Sequence, residues 1–510
     1  MKNYIYITVI ALVLSTIAFF HLWQLSEIPK GLYYDETSIG YNALKISESG
    51  HDQHGEFLPV FFKAFGEYKN PLYIYTTAII FKIAGVREFT LRFTSFFYFA
   101  ILLIAIYFLV DLAFKNKVVN IFCLLFTGFI SWFFVTSRET FEVISQPAIF
   151  ALAILFIYRT YHHANQKNWF IDPILAGFFT GLTLYTYSTS RLLTLIFVAL
   201  ILIIYSYKNL KKTLLLAGII ILISIPYLNY YFKNPDNLTR RFEQLTYIHD
   251  ANLTKQQIAE KFFKNYFTYL SPDFLIISGD HYVKKSFKHS GFGGQISKSL
   301  FVTAIIGLIG LIVTRKIFKD RFVAFIALNF LASPIAAALT HDIHGLRSIL
   351  MPLYIIILSA YGINYLSLAK NKFKIISYSI IAMLFISLII ESTLYLNHYF
   401  TRYSEESISD FETFDYRSVI LKAITLSPKK IIFSNKGGAD LYIEPEFFKK
   451  IIDIPSNINF VYDYPIPEDD SCIIFTIFDN STISQKNLHE YEFAPPNSYM
   501  KLKCYSSNNY

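Results

Sequence analysis

PLYIYTTAIIFKIAG, residues 71–85, is an apolar run bounded by Asn70 and Val86, and its placement sets the direction of every later segment. A helix crossing a hydrocarbon core of about 30 Å needs about 20 apolar residues, so this run is too short to cross comfortably. If it crosses, the KNK connector at residues 115–117 falls outside and all later connectors invert. If it lies in the interface, the span at residues 4–23 is followed by spans near 90–113, 118–135, 146–158, 169–187, 192–207, 213–232, 296–314, 322–339, 348–368 and 375–396. The inside connectors then carry Lys115, Lys117, Arg159, Lys167, Lys208, Lys211, Lys212, Arg315, Lys316, Lys319, Arg321, Lys370, Lys372 and Lys374. The short outside connectors carry only Arg138, Arg191 and Arg347. Lys and Arg are retained on the cytoplasmic side during insertion, so the interfacial placement is preferred.

The composition agrees with a mainly α, polytopic membrane protein of about eleven spans. Of 510 residues, 54% are hydrophobic and 16% charged. The net charge of +9 is largely explained by short cytoplasmic connectors, so no nucleic-acid partner is expected. The first span follows Lys2 and ends in FFHLWQLSEIP, without a small-x-small cleavage site, which predicts a retained anchor with a cytoplasmic N-terminus. Two large outside loops follow, near 24–89 and 233–295. A transmembrane domain over 1–397 gives way to an outside domain over 398–510, where KKIIFS and SCIIFTIF have strand character and DYRSVILKAI and EPEFFKKII have helix character. This predicts a small C-terminal α/β domain. Cys472 and Cys504 fall within it and could pair in an oxidising compartment, whereas Cys123 lies in an apolar block.

Charges at a membrane edge are costly unless used, on the order of 3 kcal/mol near the bilayer centre. Here they collect on the outside. GLYYDETSIGYNAL (31–44) supplies Tyr34, Asp35 and Glu36; FGEYKNPLY (65–73) supplies Glu67 and Lys69; SRETFE (137–142) supplies Arg138, Glu139 and Glu142. Arg191 ends YTYSTSR, and THDIHGLR (340–347) holds His341, Asp342, His344 and Arg347. Each has a structural alternative. Asp35 suits a helix cap, Asn70 and Pro71 suit the start of the short apolar helix, and the arginines suit snorkelling anchors. The HxxH pair lacks an obvious third metal ligand. Together, however, a carboxylate can activate a hydroxyl and Lys or Arg can stabilise a departing phosphate, the chemistry that a lipid-phosphate-linked sugar donor requires.

GLYYDE after the first span, FGEYKNPLY, and SRETFE about a hundred residues beyond the first acid resemble the protein O-mannosyltransferase-like superfamily of integral membrane glycosyltransferases, which includes the aminoarabinose transferases. The resemblance covers roughly residues 1–400, most specifically the first 145. It implies a GT-C fold with juxtamembrane helices in the first outside loop. It also implies inverting transfer of a sugar from a polyprenyl-phosphate donor to an envelope glycolipid, glycan or protein, outside the cytoplasmic membrane of a bacterium. Carried over by motif, Asp35 is the general base or an acceptor-orienting carboxylate, with Glu36 beside it, and Lys69 binds the donor phosphate with Glu67 nearby. Glu139 or Glu142 fills the place of a second acid after Arg138. Tyr34, Arg138, Arg191 and Arg347 are expected at the donor phosphate or sugar. SPDFLIISGDHY and KHSGFGGQ make Asp280 and His289 candidate acceptor-side residues.

No Gly-rich strand-turn-helix or Asp-x-Asp motif is present, so a nucleotide sugar is not expected as donor. No metal or other cofactor is required by the residues, although a divalent ion is compatible with them. The rival functions are a transporter or flippase, disfavoured by span interiors nearly free of charge, and a polymerase or ligase using a diphosphate carrier, disfavoured by the early Asp-Glu pair.

Overall fold

The computed structural model describes residues 3–162, 168–207, 209–280, 292–370, 373–407, 411, 416–426, 428–433, 442–452, 454, 457–462, 471–476, 488–491 and 500–505. After α1 (Asn3–Leu22), the first loop forms α2 (Tyr34–Ser49), a hairpin of β1 (Phe62–Ala64) and β2 (Glu67–Lys69), and α3 (Pro71–Ala84). The bundle continues through α4 (Glu88–Phe114), α5 (Lys117–Phe129), α6 (Ser131–Thr136), α7 (Ser145–His162), α8 (Ile171–Leu182), α9 (Ser190–Tyr205) and α10 (Leu210–Lys233). The second loop contributes α11 (Pro235–Leu245) and α12 (Lys255–Tyr269). Then come α13 (Lys298–Val313), α14 (Lys316–Lys319), α15 (Arg321–Ala332), α16 (Ile335–Ala338), α17 (Met351–Ser367), α18 (Phe373–His398) and α19 (Ser404–Glu406).

The protein is a mainly α, polytopic membrane protein. Among the described residues, six helices are long and apolar enough to cross a bilayer, and six shorter apolar ones, α3 among them, accompany them. Several predicted spans are broken. The segment over 118–135 divides at Ile130 into α5 and α6, and 322–339 divides into α15 and α16. Helix–helix packing relies on small residues where backbones approach. Gly307 on α13 and Gly362 on α17 are the clearest case, because a Cβ on either would strike the other helix's backbone at Leu358 or Thr303.

The hairpin turns at Phe65 and Gly66, both with positive φ (51° and 77°), the backbone that two-residue hairpins favour. Its register pairs Phe62 with Lys69 and Ala64 with Glu67. Lys69 therefore sits at the strand end, just before α3.

Helical structure runs past residue 398, through a π-turn at Tyr399–Tyr403, into α19. Beyond it, α20 (Tyr416–Thr425) and α21 (Ile443–Ile451) pack with β3 (Lys430–Phe433), β4 (Asn459–Tyr462), β5 (Ser471–Thr476), β6 (Leu488–Tyr491) and β7 (Met500–Tyr505). The sheet order is β4-β3-β5-β7-β6. β3 runs parallel to β4 and β5, while β7 is antiparallel to β5 and β6. Cys472 and Cys504 face each other across β5 and β7 and form a disulfide.

This domain sits on α2. Phe447 packs over Gly40, where a Cβ would run into its ring. Arg417 bonds Glu88 at 3.0 Å, and Lys450 bonds Glu48 at 3.0 Å. The buried Glu444 accepts a 3.5 Å hydrogen bond from the Thr37 hydroxyl. Burial pushes the Glu444 carboxyl from its ordinary 4.5 up to about 8, against the smaller opposing effect of that bond. Between these values the folded protein holds a proton that the unfolded chain lacks, so the group's contribution to stability declines as pH rises from about 4.5 to 8. Glu444→Gln should therefore match the wild-type melting temperature near pH 5 and exceed it near pH 8. An unchanged pH slope in thermal unfolding would refute this assignment.

Candidate functional site

Asp35 and Glu36 face opposite surroundings. Tyr33 is the N-cap of α2, and Glu36 returns a carboxylate oxygen to the Tyr33 amide at 3.0 Å, so Asp35 does not cap the helix. Glu36 is fully buried. It pairs with Arg92 of α4, whose Nε and Nη2 each lie 3.2 Å from a carboxylate oxygen, and it accepts the Thr140 amide at 2.7 Å. Arg92 spends its remaining donors on the carbonyls of Leu25, Pro29 and Gly31. Successive helical residues point about 100° apart. Fixing Glu36 inward thus turns Asp35 toward the cavity that it lines.

That cavity has a volume of about 780 Å³. Asp35, Glu67, Lys69, Glu142, Arg191, Arg347 and Tyr34 all line it. The Lys69 ammonium donates to Asp35 and lies 3.8 Å from Glu67. Burial alone would lower the Lys69 pKa, but Asp35, Glu67 and Glu142 outweigh burial and hold the amine charged, above its usual range. Glu142 accepts from the backbone amide and side-chain amide of Asn70, at 2.8 and 2.7 Å. The Asn70 side-chain oxygen accepts from Arg191 at 3.3 Å, and Arg191 also donates to the Leu238 carbonyl at 2.8 Å. Arg347 donates to the Thr340 hydroxyl at 2.9 Å. Apolar side chains of Leu192, Leu238, Phe242 and Leu245 share the wall.

Other expected site residues lie elsewhere. Glu36 is held by Arg92, as above, and does not line the cavity. Arg138 is buried and donates to the carbonyls of Phe20, His21, Trp23 and Gln24, satisfying the last turn of α1, so its charge serves a helix terminus. Glu139 is fully buried and accepts from Tyr403 at 2.7 Å; burial pushes its carboxyl well above the usual range. Of the two acids after Arg138, only Glu142 reaches the cavity. Asp280 is buried away from it, accepting from the Gly345 amide at 2.7 Å and from Gln295 at 3.0 Å. His289 lies outside the described residues. Among the described residues, no group of three or more His, Cys, Asp or Glu side chains is arranged to hold a metal ion.

Two residues central to the site were not singled out by sequence reasoning for what they do. Asn70 stands at the N-cap position of α3 but makes no side-chain cap bond; it links Glu142 and Arg191 instead. Arg92 is a buried charge within a long apolar helix, and that misplaced cation was the available signal for a buried partner.

Residues 68–230 match the sequence model of the dolichyl-phosphate-mannose-protein mannosyltransferase family. The structure matches that of ArnT from Cupriavidus metallidurans bound to undecaprenyl phosphate over 99% of both chains, with a TM-score of 0.57 and 12% identity. The apo state of ArnT matches over 97% of both chains at 0.56 and 11% identity. The archaeal oligosaccharyltransferase AglB from Archaeoglobus fulgidus, in complex with an inhibitory peptide and a dolichol-phosphate, matches over 94% of this chain and 70% of that one, at 0.53 and 12% identity. The chain has the GT-C fold. No curated protein sequence matches it significantly. Within this GT-C fold, the Glu36–Arg92 pair joins the first loop to α4.

Removing one partner of a buried ion pair typically costs about 3–5 kcal/mol. Arg92→Met and Glu36→Gln should each lower the thermal unfolding temperature of the detergent-purified protein sharply, whereas Asp35→Asn, which leaves Glu67 beside Lys69, should lower it less. Wild-type melting of Arg92→Met would contradict the structural role of this pair.

Proposed function

We propose that the protein is an inverting glycosyltransferase that moves a sugar from a polyprenyl-phosphate donor to a hydroxyl of an envelope glycolipid, glycan or protein. The observation that carries this reading is the contact between Lys69 and Asp35 at the wall of a cavity that also holds Arg191 and Arg347. An arriving phosphate competes with Asp35 for the Lys69 ammonium, and its binding frees the carboxylate. Asp35 then takes the proton of the acceptor hydroxyl. The hydroxyl oxygen attacks the anomeric carbon from the face opposite the phosphate, the bond from that carbon to the phosphate oxygen breaks, and the configuration inverts. Charge on the departing phosphate falls to Lys69 and Arg191 through charge-assisted hydrogen bonds. Glu142, through Asn70, orients the segment carrying Lys69. No divalent metal is called on in this scheme.

The undecaprenyl phosphate in the ArnT structure and the dolichol-phosphate in the AglB structure support a polyprenyl-phosphate carrier. The distribution of Lys and Arg supports an outward-facing cavity in a bacterial cytoplasmic membrane. The Cys472–Cys504 disulfide supports an oxidising compartment for the C-terminal domain.

In an assay with a synthetic polyprenyl-phosphate sugar, Asp35→Asn should lower turnover by about 10²–10⁴ without loss of expression. Lys69→Ala should weaken donor binding by about 10- to 100-fold, the value of a hydrogen bond to a charged group. Wild-type turnover in Asp35→Asn would reject the base, and unchanged donor affinity in Lys69→Ala would reject the phosphate ligand.

A further inference from the structure

A second cavity, of about 420 Å³, lies at the opposite end of the helix bundle. α4 joins the two regions: Arg92 near its start braces Glu36, and Lys115 caps its end and lines the second cavity. At 1.5 Å per residue, the 27 residues of α4 span about 40 Å.

Among the described residues, the lining includes Lys115, Lys117, Lys316 and His162, with Asp320 as the single carboxylate. Asp320 is engaged as the cap of α15, accepting from the Phe322 and Val323 amides at 2.9 and 3.3 Å. Helices both begin and end around this cavity: α5 and α15 start there while α4 and α17 finish, so their dipoles oppose one another. The lysines therefore decide the sign, and the cavity favours an anion.

The walls are built to hold that arrangement. Asn116, between two of the lysines, donates to Asn364 at 3.1 Å and Ser367 at 2.7 Å and accepts the Val118 amide at 3.1 Å. The connector thereby fixes Lys115 and Lys117 on either side. Both basic connectors reverse through a cation in the left-handed region, Lys115 at φ 48° and Arg315 at φ 56°. Glycine would adopt this backbone with less strain, and strained backbone is concentrated at functional sites. Tyr361 and Phe322 give an aromatic, buried side, while Leu368, also in the lining, is 62% exposed at the edge of the bundle. A lipid headgroup could enter here with its acyl chains remaining outside.

We propose that this cavity binds the phosphate group of an anionic bilayer lipid, on the face opposite the sugar-transfer cavity. The inference rests on the membrane fold and the cavity's charge and does not depend on the transferase reading. The recognised chemistry is a phosphate ester; basic pockets between transmembrane helices bind such headgroups by charge.

The test is native mass spectrometry of the full-length protein in detergent, titrated with phosphatidylglycerol or phosphatidylcholine. The wild type should retain phosphatidylglycerol preferentially, and K115Q/K117Q/K316Q should weaken its retention by about tenfold while leaving phosphatidylcholine unaffected. Should the triple variant fail to fold, K316Q alone, at an exposed position, should give a smaller loss in the same direction. Equal retention by wild type and a folded variant would overturn the proposal. Displacement of the lipid by millimolar inorganic phosphate would identify the free ion as the occupant and overturn the lipid assignment.

Discussion

The buried pair between Glu36 and Arg92 is the constraint on which the rest of the site depends. Neither group can be left alone without water, and each uses its remaining capacity on backbone: Arg92 on the carbonyls of residues 25, 29 and 31, Glu36 on the amides of Tyr33 and Thr140. One ion pair thus ties the chain after α1, the start of α2, the start of α4 and the loop before α7 into a single body. The neighbouring Asp35 has no freedom to turn inward. The adjacent carboxylates of YYDE divide the work, one holding the loop and the other facing the cavity.

Around Asp35 the charges nearly balance. Asp35, Glu67, Glu142 and Asp342 line the cavity with Lys69, Arg191 and Arg347. Such a set is stable when empty because each cation has an acceptor, and it gains when a phosphate displaces a carboxylate from a cation. Asn70 couples the two sides, since it touches Glu142 and Arg191 and adjoins Lys69. The C-terminal domain closes over the outer side of α2 through Phe447, Glu444 and Lys450. The helix bearing Asp35 is therefore gripped from below by Arg92 and from outside by α21.

Much of the fold was legible in the sequence because a bilayer imposes length and apolarity on each span. The short run at 71–85 forms α3, and KKIIFS, SCIIFTIF, DYRSVILKAI and EPEFFKKII form β3, β5, α20 and α21. The breaks at Ile130 and between α15 and α16 left no hydropathy signal, since the apolar run continues across them. Motif spacing brought Asp35, Glu67, Lys69, Glu142, Arg191 and Arg347 into view, and one cavity collects them. The same charge criterion also selected Glu36, Arg138, Glu139 and Asp280, which are buried in structural roles. Burial depends on partners distant in sequence, such as Tyr403 for Glu139, 264 residues away, and a charge pattern cannot distinguish a braced carboxylate from an available one.

The central claim is that a phosphate takes the place of Asp35 on the Lys69 ammonium. The most direct measurement is an electron cryomicroscopy structure of the protein with a polyprenyl phosphate bound. Phosphate oxygens should lie about 3 Å from the Lys69 ammonium and the Arg191 guanidinium, the ordinary charge-assisted distance, with the Asp35 carboxylate released from Lys69. A phosphate bound elsewhere, with the Lys69–Asp35 contact intact, would contradict it.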